Sequence, residues 1–86
     1  MKRLIMFTAP WCKVCPIVHP IAEEVSKEQG IEFSLIDAGT EEGAEQSVIH
    51  SIMSLPTLIL FKDGAEVARR SNLISKADLT KLVKLV

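Results

Sequence analysis

Cys12 and Cys15, separated by Lys13 and Val14 and preceded by Trp11, are the residues whose types and spacing best suit chemistry. They are the only two cysteines of the sequence, and Trp11 is its only tryptophan. Two thiols this close can pass between dithiol and disulfide: one thiolate attacks a disulfide sulfur and the other resolves the mixed disulfide. The spacing reads as a redox motif when it sits in a βαβ pattern inside a reducing compartment. Where a strand hands over to a helix, Cys12 at the helix start meets unpaired backbone N–H groups and the positive end of the dipole, which stabilise a thiolate. Cys15, about one turn further in, is within reach but more buried. Cys12 is therefore assigned as nucleophile and Cys15 as resolving thiol; the plain alternative is a pair of inert core cysteines. Lys13 either strengthens the thiolate with its charge or is simply an exposed lysine.

The elements around the pair must supply that setting. Lys2 to Thr8 contains an unbroken apolar run, Leu4 to Phe7, bounded by Pro10, which reads as a strand buried on both faces and central in its sheet. Val14, Ile17, Val18, Ile21, Ala22 and Val25 then recur at helical spacing and stop at Gly30. Cys12, Pro16, His19, Glu23 and Ser26 fall on the opposite, wetter face, and Pro20 lies inside the helix. Ile31, Phe33 and Leu35 alternate with polar residues as a second strand, completing a right-handed parallel βαβ unit. Thr40 with Glu41 and Glu42 opens a second helix whose expected buried stripe is Ala44, Val48, Ile49 and Ile52. Ser54-Leu55-Pro56 breaks it. Thr57 to Phe61 is a third strand, Asp63-Gly64 a tight hairpin, and Glu66 to Arg70 a charged edge strand. Ser75 and Asp78 open a last amphipathic helix carrying Leu79, Leu82, Val83 and Val86. The order is β-α-β-α-β-β-α.

Composition narrows the function. Eighty-six residues, nearly half of them apolar, make a single domain over 1–86 with one core. A net charge of −1 argues against a nucleic-acid partner, and the basic pair Arg69-Arg70 reads as a solvated strand end. The apolar run after Met1-Lys2-Arg3 is too short for a secretory h-region, and no stretch approaches a membrane span. Two cysteines are too few to staple a small secreted domain, so a cytoplasmic monomer without membrane contact is expected.

The element order, the CxxC at the first strand–helix junction and a Pro opening the third strand resemble the thioredoxin family in a minimal form. Trp11 before the first cysteine, Pro20, Leu55-Pro56-Thr57 and Phe61-Lys62-Asp63-Gly64 extend the resemblance over essentially the whole chain. It implies an α/β fold with a four-stranded mixed sheet of order 2-1-3-4 and helices on both faces. By the same resemblance Pro56 is a cis proline facing the cysteines, leaving the Leu55 backbone free to pair with an extended substrate. The alternative is a plain strand-start proline. Trp11, Lys13, Val14, Leu55 and Pro56 then form the substrate surface, although Trp11 can also be read as packing alone.

Several positions depart from the family pattern. Full-length thioredoxins carry a further N-terminal strand and helix. Lys13-Val14 stands where Gly-Pro is usual, and Met6 and Phe33 replace a buried Asp and its Lys partner, leaving an apolar floor under the cysteines. The longer stretch from Asp37 to Pro56 suggests an extended second helix. The paired-glycine element that helps glutaredoxins hold glutathione has no counterpart between Arg69 and Leu73.

What the resemblance implies is a protein disulfide oxidoreductase with no bound cofactor and no metal. Its partners would be thioredoxin reductase or another flavoprotein reductase and disulfide-containing proteins, ribonucleotide reductase among them. The alternatives are a glutathione-dependent glutaredoxin and a metal-binding or purely interacting module; Cys12, Cys15, His19 and His50 are nominal zinc ligands for the latter. His19 otherwise reads as a surface histidine.

Overall fold

A computed structural model describes residues Met1–Val86. Its elements are β1 (Lys2–Thr8), α1 (Cys15–Gln29), β2 (Glu32–Asp37), α2 (Glu41–Ile49), β3 (Thr57–Lys62), β4 (Ala65–Ser71) and α3 (Lys76–Leu85). The strands lie in the order β2-β1-β3-β4, with β1 and β2 parallel and the other pairs antiparallel. β1 is central because Leu4 to Phe7 are all buried and need cover on both faces.

Alternation along β1 and β3 divides the core in two. Leu4, Met6, Leu58 and Leu60 face α1 and α3, packing with Val18, Ala22, Val25, Leu79 and Val83. Ile5, Phe7 and Ile59 face the other side, where Ile36, Ile52, Leu55 and Phe61 pack against them. Lys76 ties the two helices of the first face together, pairing with Glu24 (3.0 Å) and Glu28 (2.9 Å) of α1. Asp63 and Gly64 turn the β3–β4 hairpin, both at positive φ. Ser75 caps α3 by accepting from the Asp78 N–H (3.1 Å).

Two helices differ from the sequence expectation. In α1 the buried line is Cys15, Val18, Ala22, Val25 and Ser26, while Ile17 is exposed. Val18, Ala22 and Val25 of the expected stripe are fully buried, but the face is turned so that Ile17 points outward and Ser26 inward, where its hydroxyl has no hydrogen-bond partner. In α2 only Gly43 is buried; Val48 and Ile49 face outward. A Cβ built on Gly43 would overlap the Asp37 carbonyl, so bare helix backbone is seated on the end of β2. That close approach, with Thr40 accepting from the Gly43 N–H (3.0 Å), fixes the rotation of α2 and overrides its apolar stripe. Nor is α2 extended. It ends at Ile49, His50 inserts between Phe7 and Phe61, and Ser51 turns the chain at φ 53°. The extra residues lie in the loop 50–56. No helix is long and apolar enough to cross a membrane.

Candidate active site

β1 delivers the chain from the middle of the sheet to a turn closed by the Cys12 N–H donating to the Ala9 carbonyl (3.0 Å). α1 begins three residues later, with Val14 as its N-cap residue. Cys12 therefore precedes the helix instead of occupying its first turn. Val14 offers no side-chain cap and no acidic residue stands in the first turn. The N–H groups of Lys13, Val14 and Cys15 find no backbone acceptor. The positive end of α1 thus stays uncompensated beside the cysteines, a setting that favours a thiolate over a thiol.

Cys12 and Cys15 form a disulfide with their Cα atoms 5.5 Å apart. The pair is asymmetric. Cys15 is 3% exposed and packs in the core of the first face, whereas Cys12 is half-buried at its margin. Met6 lies fully buried in the same core, and the buried polar residues of the chain are only Ser26 and Thr57. An apolar bed under Cys15 keeps that sulfur from solvent and leaves Cys12 as the one an incoming sulfur can approach.

A groove of about 560 Å³ opens beside Cys12. Trp11, Lys13 and Val14 line it with Cys12 on one side of the sequence, and Ile52, Met53, Ser54 and Leu55 contribute from the other; Ala38 and Ser47 complete it. That volume accommodates side chains of a peptide segment. Seven of the ten lining residues are hydrophobic and Lys13 alone carries charge, so the groove offers mainly apolar contact.

Trp11 is 67% exposed yet seated at one edge. A Cβ on Gly39 would come within 3.2 Å of its Cζ3, 3.1 Å of Pro10 Cδ and 3.0 Å of Asp37 Oδ1. The Gly39 N–H donates to that same carboxylate oxygen (2.8 Å), fixing the bare backbone against which the ring lies.

The Leu55–Pro56 peptide bond is cis, and neither the N–H nor the C=O of Leu55 makes a backbone hydrogen bond. Pro56 is buried behind it and is not part of the groove lining. Its carbonyl accepts from Asn72 (2.9 Å), and Thr57 Oγ1 donates to the Ser54 carbonyl (2.6 Å). These bonds hold the segment while leaving Leu55 itself free.

The two histidines are far from serving a common ion. His19 stacks on Phe33 and shares a hydrogen bond with Glu23 (2.9 Å), whereas His50 sits among Phe7 and Phe61 of the second face. No group of three or more His, Cys, Asp or Glu side chains is placed to hold a metal. Of the expected surface residues, Trp11, Lys13, Val14 and Leu55 meet in one groove. Ile52, Met53 and Ser54 were missed although they directly precede Leu55-Pro56; assigning Ile52 to a helical stripe hid that flank. Ala38 and Ser47 carried no signal in the sequence.

The thioredoxin family model matches residues 1–85. Thioredoxin of Buchnera aphidicola is 35% identical over 80 residues, covering 93% of this chain and 74% of that protein. Thioredoxin of Bacillus subtilis is 34% identical over 77 residues, covering 90% of this chain and 74% of its own length. Among solved structures, a thioredoxin variant from Halobacterium salinarum superposes with a TM-score of 0.89 at 26% identity, covering 98% of this chain and 73% of that one. Thioredoxin of Fasciola hepatica gives 0.76 at 32% identity, with 98% and 76% covered.

Proposed function

The chain belongs to the thioredoxin family and is a thiol–disulfide oxidoreductase, and from that premise we propose a division of labour within its Cys12–Cys15 pair. Cys12 is the attacking thiolate and Cys15 the resolving thiol. The observation that carries this is their asymmetry: Cys12 borders an open groove at the uncompensated end of α1, and Cys15 is buried behind it.

In the dithiol form, the Cys12 thiolate attacks one sulfur of a substrate disulfide. A bond forms between them, the substrate S–S bond breaks, and the departing substrate thiolate takes a proton. Cys15 then loses its proton and attacks the Cys12 sulfur, releasing the second substrate thiolate and forming the Cys12–Cys15 disulfide. The substrate gains two electrons and ends as two thiols; the cysteine pair ends oxidised. A reductase dithiol restores the pair by the same exchange in reverse.

Trp11, Lys13, Val14 and Leu55 form the docking surface, with Pro56 holding Leu55 so that its free N–H and C=O pair with an extended substrate strand. Thioredoxins take disulfide substrates and are typically reduced by thioredoxin reductase. For this chain the specific donor is a flavoprotein thioredoxin reductase, the clients are disulfide-bearing proteins such as ribonucleotide reductase, and the working unit is a cytoplasmic monomer of one domain, residues 1–86. The thioredoxin relatives favour this reading over the glutathione-dependent and metal-binding alternatives.

The test is turnover of a protein disulfide under two electron supplies. Sustained turnover with NADPH and a thioredoxin reductase, and only background with glutathione and glutathione reductase, is expected. The opposite pattern would make the chain a glutaredoxin in function.

A further inference from the structure

We infer that Arg69 and Glu66 are a positioning pair for the substrate groove, acting through the loop that forms its second wall. The inference rests on the groove of the proposed function being the docking site.

Its starting point is an irregularity in β4. Residues three apart on a regular strand point to opposite faces of the sheet. In β4, however, Leu60 pairs with Ala68 while its neighbour Phe61 pairs with Glu66, so Val67 is an extra residue in a β-bulge. The bulge resets the alternation and brings Glu66 onto the same face as Arg69. There the guanidinium makes a two-pronged contact with the carboxylate, Nε to Oε2 at 2.9 Å and Nη2 to Oε1 at 2.8 Å. That contact holds the Glu66 carboxyl below its ordinary range and raises the Arg69 guanidinium above its own.

The remaining donor of the fork reaches out of the hairpin. Arg69 Nη1 donates to the Ser51 carbonyl at 3.2 Å. Ser51 is the residue at which the chain leaves α2 in a left-handed conformation, and the groove residues Ile52, Met53, Ser54 and Leu55 follow it directly. One residue earlier, the His50 ring lies 5.7 Å from Phe7 and 5.8 Å from Phe61. The base of the loop is therefore pinned twice, by an aromatic wedge and by a guanidinium already oriented by Glu66. Met53, 92% exposed, projects from a segment with no secondary structure of its own. The clamp fixes where that wall starts, and through it the width of the groove opposite Trp11. Neither Arg69 nor Glu66 touches the cysteines or the groove, so the pair governs substrate docking and leaves the sulfur chemistry alone.

The experiment compares Arg69→Ala, Arg69→Lys and Glu66→Gln with the parent on a protein disulfide and on a small aromatic disulfide. Arg69→Ala is expected to raise KM for the protein about fivefold or more with kcat within about twofold. The small disulfide should be reduced at the parent rate, because it needs no groove. Arg69→Lys, which keeps the charge but loses the fork, should fall between, and Glu66→Gln should follow Arg69→Ala in direction. Backbone hydrogen exchange at residues 52–55 should quicken in the same order. Unchanged KM for the protein, or equal losses on both disulfides, would overturn the inference. Leu55→Ala and Met53→Ala run alongside: if they raise KM and the clamp variants do not, the clamp alone is wrong; if none does, the groove is not the docking site. Should Arg69→Ala fail to fold, Glu66→Gln, which keeps every cation and the strand, decides the matter.

Discussion

At the scale of single residues, one sulfur is offered and one withheld, and both conditions come from neighbours without charge. Met6 and the surrounding apolar core bury Cys15, while α1 presents free N–H groups next to the pair. Trp11 and Gly39 show how finely the groove wall depends on absent atoms. Gly39→Ala adds a methyl group at 3.0 to 3.2 Å from three neighbours, among them the Trp11 ring, which is 67% exposed and free to yield. The backbone of Gly39 is not in the left-handed region, so the substitution adds no backbone strain and acts through these contacts alone. The expected result is a changed Trp11 emission and a KM for protein disulfides raised about fivefold, equivalent to about 1 kcal/mol of docking. Unaltered emission and KM would mean that Trp11 is not held by this contact. The cysteine spacing was legible in the sequence because those residue types carry the chemistry, and the expected place of Trp11 beside them is matched by its position in the groove lining. Gly39 was not, since a glycine in a loop announces no partner until the fold supplies one.

Among the elements, those whose hydrophobic pattern meets the sheet along its full length were read well. β1, β3 and α3 fall where periodicity places them; Leu4 to Phe7 and Leu58 to Leu60 are buried, as are Leu79 and Val83, with Leu82 and Val86 packed partly against the same core. α2 was rotated wrongly, and α1 only at its margins, where Ile17 is exposed and Ser26 buried. Backbone contact at Gly43 outweighs the weak stripe of α2. Periodicity records which residues share a face, but not how contact with a neighbouring element turns that face. The misplacement at Ser26 has a measurable consequence. Its hydroxyl is buried without a partner, a condition that costs about 1–3 kcal/mol, and alanine is the better helix former. Ser26→Ala is expected to stabilise the fold by about 1 kcal/mol, read as a raised urea midpoint at unchanged slope. A lowered midpoint would mean that the hydroxyl has a partner in solution.

For the molecule as a whole, the site exists because the fold joins two distant segments. Residues 11–14 enter the groove from the end of β1, and residues 52–55 enter it just before β3; these strands are hydrogen-bonded neighbours. The βαβ unit and the antiparallel return of β3 were legible, so the meeting of Cys12 with Leu55 was too. The bulge in β4 was not: Arg69-Arg70 looks like a solvated strand end until the extra residue Val67 turns Arg69 and Glu66 to one side, leaving Arg70 on the other. The same sheet separates His19 from His50, which no spacing argument could show. The division of labour between the two sulfurs is what the whole arrangement serves. The most direct measurement is mass spectrometry of the Cys15→Ser protein after reaction with a protein disulfide. A stable mixed disulfide mapped to Cys12 is the predicted result, with no such adduct at Cys15 in Cys12→Ser. Adduct at Cys15, or undiminished multiple turnover by either variant, would contradict it.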